Sequence, residues 1–146
     1  MEVNQLNSSE CATFLQQASL GRLACSHDDQ PYVVPIHFAY DGTYVYGFST
    51  LGQKIEWMRD NPKVCIQADE IEAPSKWTSV IVFGEYEELP EPQYTAERKH
   101  ASSLLSRHCL WWLNALGHRQ MSVGELSIEP LFFRIRIQSM SGLQAI

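Results

Sequence analysis

The apolar positions of the chain change period several times, and each change marks an element. Cys11, Phe14, Leu15 and Ala18 recur at i, i+3, i+4 and i+7, the stripe of an amphipathic helix. Asn7 precedes the stripe with Glu10 three residues later, a capping box, and Gly21 is placed to close the helix. From there the period drops to two. Arg22–Ser26 reads as a first strand, His27-Asp28-Asp29-Gln30-Pro31 as a polar turn and Tyr32–Tyr40 as a second strand. Pro35 lies inside that second strand; a residue without an N–H marks an edge, a bulge or a strand end. Asp41-Gly42 is a hairpin signal. It leads into Thr43–Ser49, with Tyr44, Tyr46 and Phe48 on one face. Thr50 and Gln53 have the spacing of a second capping pair, opening a helix with Lys54 in its first turn that stops at Asn61-Pro62. Lys63–Glu70 is a fourth strand, Ile71–Lys76 a loop, and Trp77–Leu89 a long fifth strand in which Gly84 predicts a bulge or a bend. Thr95 to about Leu116 reads as the longest helix, Gly117–Ser127 as irregular, and Glu129–Ser139 as the last strand. Six strands joined mostly by short turns, with helices between them, predict a mainly β fold: one small antiparallel barrel with flanking helices.

Composition narrows the functions open to such a barrel. At 146 residues and 45% hydrophobic, the chain fits one domain with a real core. A net charge of -6 without a basic cluster argues against nucleic acid as partner. The polar stretch Met1–Asn7 carries no secretory signal, and no apolar run is long enough to span a membrane. The four cysteines, Cys11, Cys25, Cys65 and Cys109, are far apart without a CxxC pair. They read as reduced thiols of a cytoplasmic protein rather than as metal ligands. There is no GxGxxG, no P-loop and no complete GxSxG elbow. The aromatics (4 Trp, 6 Tyr and 6 Phe) exceed what one small barrel interior needs, so an interface or a cleft for a flat ring is expected to take some of them. Trp111 and Trp112 cannot both face one core from one helix.

Candidate chemistry concentrates at the strand-to-helix junction. A helix start exposes unpaired N–H groups and the positive end of the dipole, which suits a phosphate. Ser49 and Thr50 add hydroxyls, Lys54 adds a charge and Gly52 permits close backbone approach. An ordinary capped helix with a solvent-facing lysine is the alternative. His37 could move protons near neutral pH, or could simply bond a neighbouring backbone group. Arg134 and Arg136 share a face of the last strand, and His100, Arg98, Lys99 and Arg107 read as the solvated side of the long helix.

Several segments then fall in one order: Tyr32-Val33-Val34-Pro35-Ile36-His37-Phe38, Asp41-Gly42, Tyr46 through Lys54, Asn61-Pro62-Lys63-Val64, and Trp77 through Gly84. In that order the chain resembles the pyridoxamine 5′-phosphate oxidase-like, FMN-binding split-barrel family, and most of all its nitroimidazole-resistance branch. The resemblance implies a six-stranded antiparallel split barrel that forms a homodimer and binds FMN in clefts at the dimer interface. It implies that the backbone of Val33, Val34, Pro35, Ile36 and His37 lies along the flavin ring. Ser49, Thr50 and Lys54 would hold the phosphate, with Gln53 beside it, and Thr78 and Ser79 would reach in from the partner chain. The chain also departs from the family. Gln53 stands where the vitamin B6 oxidases carry an arginine, and the Ser141–Ile146 terminus lacks their substrate-binding arginine. The expectation is an FMN-dependent oxidoreductase passing electrons from reduced nicotinamide to a small organic acceptor. A non-catalytic flavin- or haem-binding sensor or carrier, and a small-molecule binding module that has lost its cofactor, are the alternatives.

Overall fold

The computed structural model describes residues 1–107 and 130–146. Its elements are β1 (Val3–Leu6), α1 (Ser8–Gln17), β2 (Leu20–His27), β3 (Gln30–His37), β4 (Ala39–Tyr40), β5 (Tyr44–Ser49), α2 (Gln53–Asp60), β6 (Lys63–Ala73), β7 (Lys76–Glu88), a helix over residues 95–107, and β8 (Leu131–Ala145). All strands join one antiparallel sheet in the order β3-β2-β6-β7-β8-β5-β4, with β1 added along β8. The six long strands are those expected. The short β1 and β4 are additions, and β4 arises because the second expected strand breaks at Phe38. No helix among the described residues is long and apolar enough to cross a membrane.

Alternation along the strands explains the barrel. Leu23 and Cys25 of β2, Val64, Ile66 and Ala68 of β6, and Val80 and Val82 of β7 all point inward and are buried. Cys11 and Leu15 of α1 and Ile55 and Met58 of α2 complete the same core. Each fully buried aliphatic contributes roughly 1.5–3 kcal/mol. A second cluster lies beyond β5, where Tyr46, Phe48 and Phe132 pack against Ala101 and Leu105 of the 95–107 helix. That cluster is the shared face expected for Tyr44, Tyr46 and Phe48.

Local chemistry sets the ends. Asn7 caps α1, and the reciprocal Asn7–Glu10 bonds form at 2.8 and 3.0 Å. The helix ends at Gln17 with Ala18 extended. Gly21 therefore does not close it but sits inside β2, where a Cβ would meet the Gln67 carbonyl oxygen at 2.7 Å. Asp28 and Asp29 take positive φ (49° and 62°) between the paired residues His27 and Gln30, the tight turn suited to a twisted hairpin. The β7–β8 register shifts between Phe83 and Gly84, so the bulge is the alternative that forms. The expected loop 71–76 shrinks to a turn, because β6 runs on to Ala73, and β8 runs on to Ala145.

Candidate flavin-binding corner and outer sheet face

β5 ends at Ser49, and α2 starts at Gln53 with Gly52 at its cap, extended at φ -175°, ψ -170°. Thr50 does not cap the helix, and no side chain does. The start shifts because a glycine in the first turn gives up more backbone freedom than any other residue, so the chain stays extended through Gly52. Ser49 Oγ donates to the Thr50 carbonyl at 3.0 Å. Lys54 is nonetheless the second helical residue, in the turn whose N–H groups lack intrahelical acceptors. Ser49, Thr50, Gln53 and Lys54 thus stay within one corner of the fold.

The surroundings of Lys54 are unusual for a lysine. It is half-buried, with Cys25 on the strand beneath. Burial holds its ammonium below the ordinary lysine value, and only the Cys25 thiol opposes that shift. Among the described residues no carboxylate pairs with it. Burial raises the Cys25 thiol in turn. Cys11 and Cys25 are buried, free thiols.

β3 is the terminal strand of the sheet path, the edge among the alternatives that Pro35 left open. Its register on β2 sorts the expected flavin contacts between two faces. Ile36 is buried against the core and Val34 packs on it. Val33, 62% exposed, and Pro35 face outward with the half-buried His37. Burial pushes the His37 imidazole below its ordinary value, and a hydrogen bond with the Ser19 backbone partly restores it.

The outer face continues across the sheet. Pairing aligns Ala24, Cys65, Phe83 and Ser139 in one row, and Arg22, Gln67, Ile81 and Ser141 in the next. A polar network crosses this face. Arg22 Nη1 donates to Asp69 Oδ2 at 3.2 Å, and Gln67 Nε2 donates to Asp69 Oδ2 at 2.8 Å and to Ser79 Oγ at 3.0 Å. Arg22, Gln67 and Asp69 were not singled out from the sequence. Their signal is there: polar residues at alternate positions of strands whose other positions are apolar.

Thr78 and Ser79 do not share a face. Thr78 points toward α1, beside Phe14 and Gln144, whereas Ser79 opens onto the outer face. Ser79 lines a groove of about 570 Å³ with Gln5, Leu6, Asn7, Ile81, Met140, Ser141, Gly142 and Leu143 among its walls. β7 lies three strand positions from β3 in the sheet order, roughly 14 Å at the usual strand spacing. One chain therefore does not bring Thr78 or Ser79 onto β3. Trp77 is half-buried at the start of β7, opposite Ala145. Trp111, Trp112, Cys109, His108 and His118 lie outside the described residues.

The cations of the last strand and the long helix have other partners. Arg134 Nε pairs with Glu87 at 2.8 Å and lies 4.1 Å above the Tyr44 ring. Arg136 pairs with Glu85 at 2.5 Å. Arg98 is not solvated as expected but lies 4.8 Å above the Phe132 ring. His100 Nε2 is 2.9 Å from Asp41 Oδ2.

Comparison with known proteins follows the same outline. A family model described as pyridoxamine 5′-phosphate oxidase matches residues 7–144. A protein of Rhizobium meliloti (strain 1021) is 48% identical, over 99% of this chain and 97% of its own. The crystal structure of an FAD-binding protein from Mesorhizobium loti superposes with a TM-score of 0.81 at 43% identity, covering 100% of this chain and 98% of that one. A 5-nitroimidazole antibiotic resistance protein from Bacteroides thetaiotaomicron shares the fold, with a TM-score of 0.67 at 18% identity over 99% of this chain and 89% of that one.

Proposed function

Because the chain belongs to the pyridoxamine 5′-phosphate oxidase family, we propose that it binds a flavin, FMN, with the phosphate at the start of α2, and acts as an oxidoreductase. The observation that carries this reading is Lys54: a half-buried ammonium with no carboxylate partner among the described residues, in an uncapped first helical turn. A desolvated charge without a partner is costly, and a phosphate supplies the missing anion. Ser49 and Thr50 add hydroxyls beside it. A single cation suits the single phosphate of FMN. Gln53 is exposed where the B6 oxidases have an arginine, so the affinity is set by Lys54 and the backbone donors. The FAD-binding relative from Mesorhizobium loti supports a flavin without deciding between FMN and FAD.

The edge strand β3 provides a ledge for the ring, and His37 stands beside it as a neutral imidazole able to accept or pass a proton. A flavin held there supplies two-electron chemistry between a reduced nicotinamide and a small organic acceptor. The outer face exposes Val33, Phe83, Leu143 and Leu20 by 43–62%. A second copy laid on that face buries them and brings its Ser79 toward the first copy's β3, so the working form is a homodimer with clefts between the chains. Thiols at Cys11, Cys25 and Cys65 suit a reducing, cytoplasmic location.

The test is the visible spectrum of the purified protein titrated with FMN and with FAD. Flavin bands that shift and saturate, more tightly for FMN, are expected, with FMN-dependent oxidation of reduced nicotinamide once an acceptor is added. A protein that takes up neither flavin overturns the proposal.

A further inference from the structure

The helix that starts at the phosphate corner is tied to the β2–β3 hairpin toward its other end. Trp57 lies three residues after Lys54, one turn along the same side of α2. Its ring meets two strands. The His27 imidazole at the end of β2 stacks on it, with ring centroids 5.4 Å apart and an interplanar angle of 25°. Tyr32 of β3 approaches it edge-on, at 5.4 Å and 61°. Tyr32 adjoins Val33 on the ring ledge. Asn61, the residue that follows the helix, donates from Nδ2 to the Ser26 carbonyl at 3.1 Å and to Ser26 Oγ at 3.2 Å. One junction thus joins β2, β3 and α2, the elements that carry the ledge and the corner.

His27 is the member of this junction whose charge can change. Its Nε2 lies 3.2 Å from Asp60 Oδ2 of α2, and its Nδ1 lies 3.3 Å from Asp28 Oδ2 of the turn. Its cross-strand partner on β3 is the uncharged Gln30. Among the described residues the two carboxylates are its ion-pair partners. Ionised carboxylates only accept hydrogen bonds. A neutral imidazole has one N–H, so its bare nitrogen would face an oxygen lone pair, whereas an imidazolium donates from both nitrogens. The charged ring also gains from the indole face beneath it. Histidine side chains take up that charge in the range around neutral pH.

We propose that His27 is a positioning residue for flavin binding: when protonated it clasps α2 to the β2–β3 hairpin and so fixes the phosphate corner relative to the ring ledge. The inference rests on the flavin reading above. Fixing two ends of a site beforehand removes an ordering cost from binding. The two carboxylates are 91% and 71% exposed, and exposed ion pairs are weak, so the clasp is worth about a few-fold in affinity. FMN is held more tightly on the acidic side of neutral, where the clasp is charged, and less tightly above it.

The experiment titrates the whole protein with FMN by fluorescence at about pH 6 and about pH 8, either side of the histidine range. Wild type is compared with His27→Gln, His27→Arg and Asp60→Asn at each pH. Ionisation of the FMN phosphate, of Lys54 and of His37 is common to all four proteins and cancels in their ratios. An arginine stays charged at both pH values, stacks on an indole and offers donors to both carboxylates, whereas a glutamine never charges. At about pH 6 wild type and His27→Arg are expected to bind FMN about threefold more tightly than His27→Gln and Asp60→Asn. At about pH 8 wild type should come within about 1.3-fold of His27→Gln and Asp60→Asn, while His27→Arg keeps its lead over His27→Gln. Should the arginine not fit, the ratios of wild type to His27→Gln and to Asp60→Asn decide alone. A merely structural role for His27 would give ratios that ignore pH. If they do, while Lys54→Met loses the flavin, the inference falls and the flavin reading stands. If wild type binds no flavin, both fall.

Discussion

Two sets of cations behave differently in this molecule. Along β7 and β8, arginines are saturated. Arg134 has Glu87 and the Tyr44 ring, Arg136 has Glu85, and Arg59, reaching over from α2, has Glu88 at 2.6 Å. Fewer than eight residues before Arg59 on the same short helix, Lys54 is more desolvated and has no carboxylate among the described residues. The arginines are held by partners that folding itself supplies, so their role is closed within the chain. Lys54 bears a desolvation cost that no carboxylate among the described residues offsets, and in the proposed reading the flavin phosphate is what offsets it. Charge count alone, which is strongly acidic, would have hidden the difference.

The sharpest way to break the contrast is Lys54→Met. Removing a charge-assisted bond to phosphate should weaken FMN binding by about 30- to 100-fold, read by fluorescence titration. The unliganded protein should melt no lower than wild type, because an unpaired, half-buried charge has gone. A drop in melting temperature with unchanged affinity would place Lys54 with the structural cations. The complementary variant is Arg134→Met. Its guanidinium is only 15% exposed between Glu87 and Tyr44, so its loss should cost about 1–2 kcal/mol of stability by denaturant titration and leave FMN affinity within about twofold.

Much of this was legible from the residues. The Asn7–Glu10 box and the Asp41-Gly42 turn rest on local backbone chemistry and formed as read, Gly84 took the bulge of the bulge or bend it suggested, and Pro35 the edge among its three alternatives. Lys54 in a first helical turn survived a shift of the helix start, since a displacement of a few residues leaves it near the N-terminus. What failed was set by long-range pairing. Gly21 looks like a helix stop only until one knows that β6 passes close enough to need a missing Cβ. Arg98 looks solvated on a helix taken alone, but Phe132 comes from β8, whereas His100 is exposed as expected, with Asp41 of the β4–β5 turn beside it. Thr78 and Ser79 are adjacent in sequence and so fall on opposite faces of β7, a consequence of the period of two. The Arg22–Asp69–Gln67–Ser79 chain needs three registers at once, which no local pattern supplies.

The smallest expected effect tests whether His37 belongs with the site or with the core. Burial holds its imidazole below the ordinary value near 6.5, against the Ser19 backbone bond. Between the folded and unfolded pKa values the unfolded chain binds more protons, so stability rises with pH through that window. The contribution is complete above the unfolded value and is lost as pH falls toward the folded one. Wild type should therefore lose a few tenths of a kcal/mol or more below about pH 6.5 that His37→Gln keeps, measured by denaturant melts at stepped pH. Lys54 follows the same sign in the alkaline range: its folded pKa is depressed, so unliganded stability rises with pH while phosphate affinity declines as the ammonium is lost. If FMN protects the protein at neutral pH and flattens the acid limb in wild type but not in His37→Gln, the imidazole lies under the ligand. An acid limb that FMN leaves unchanged would return His37 to a purely structural role beside Ser19, and the ring ledge on β3 would then rest on backbone groups alone.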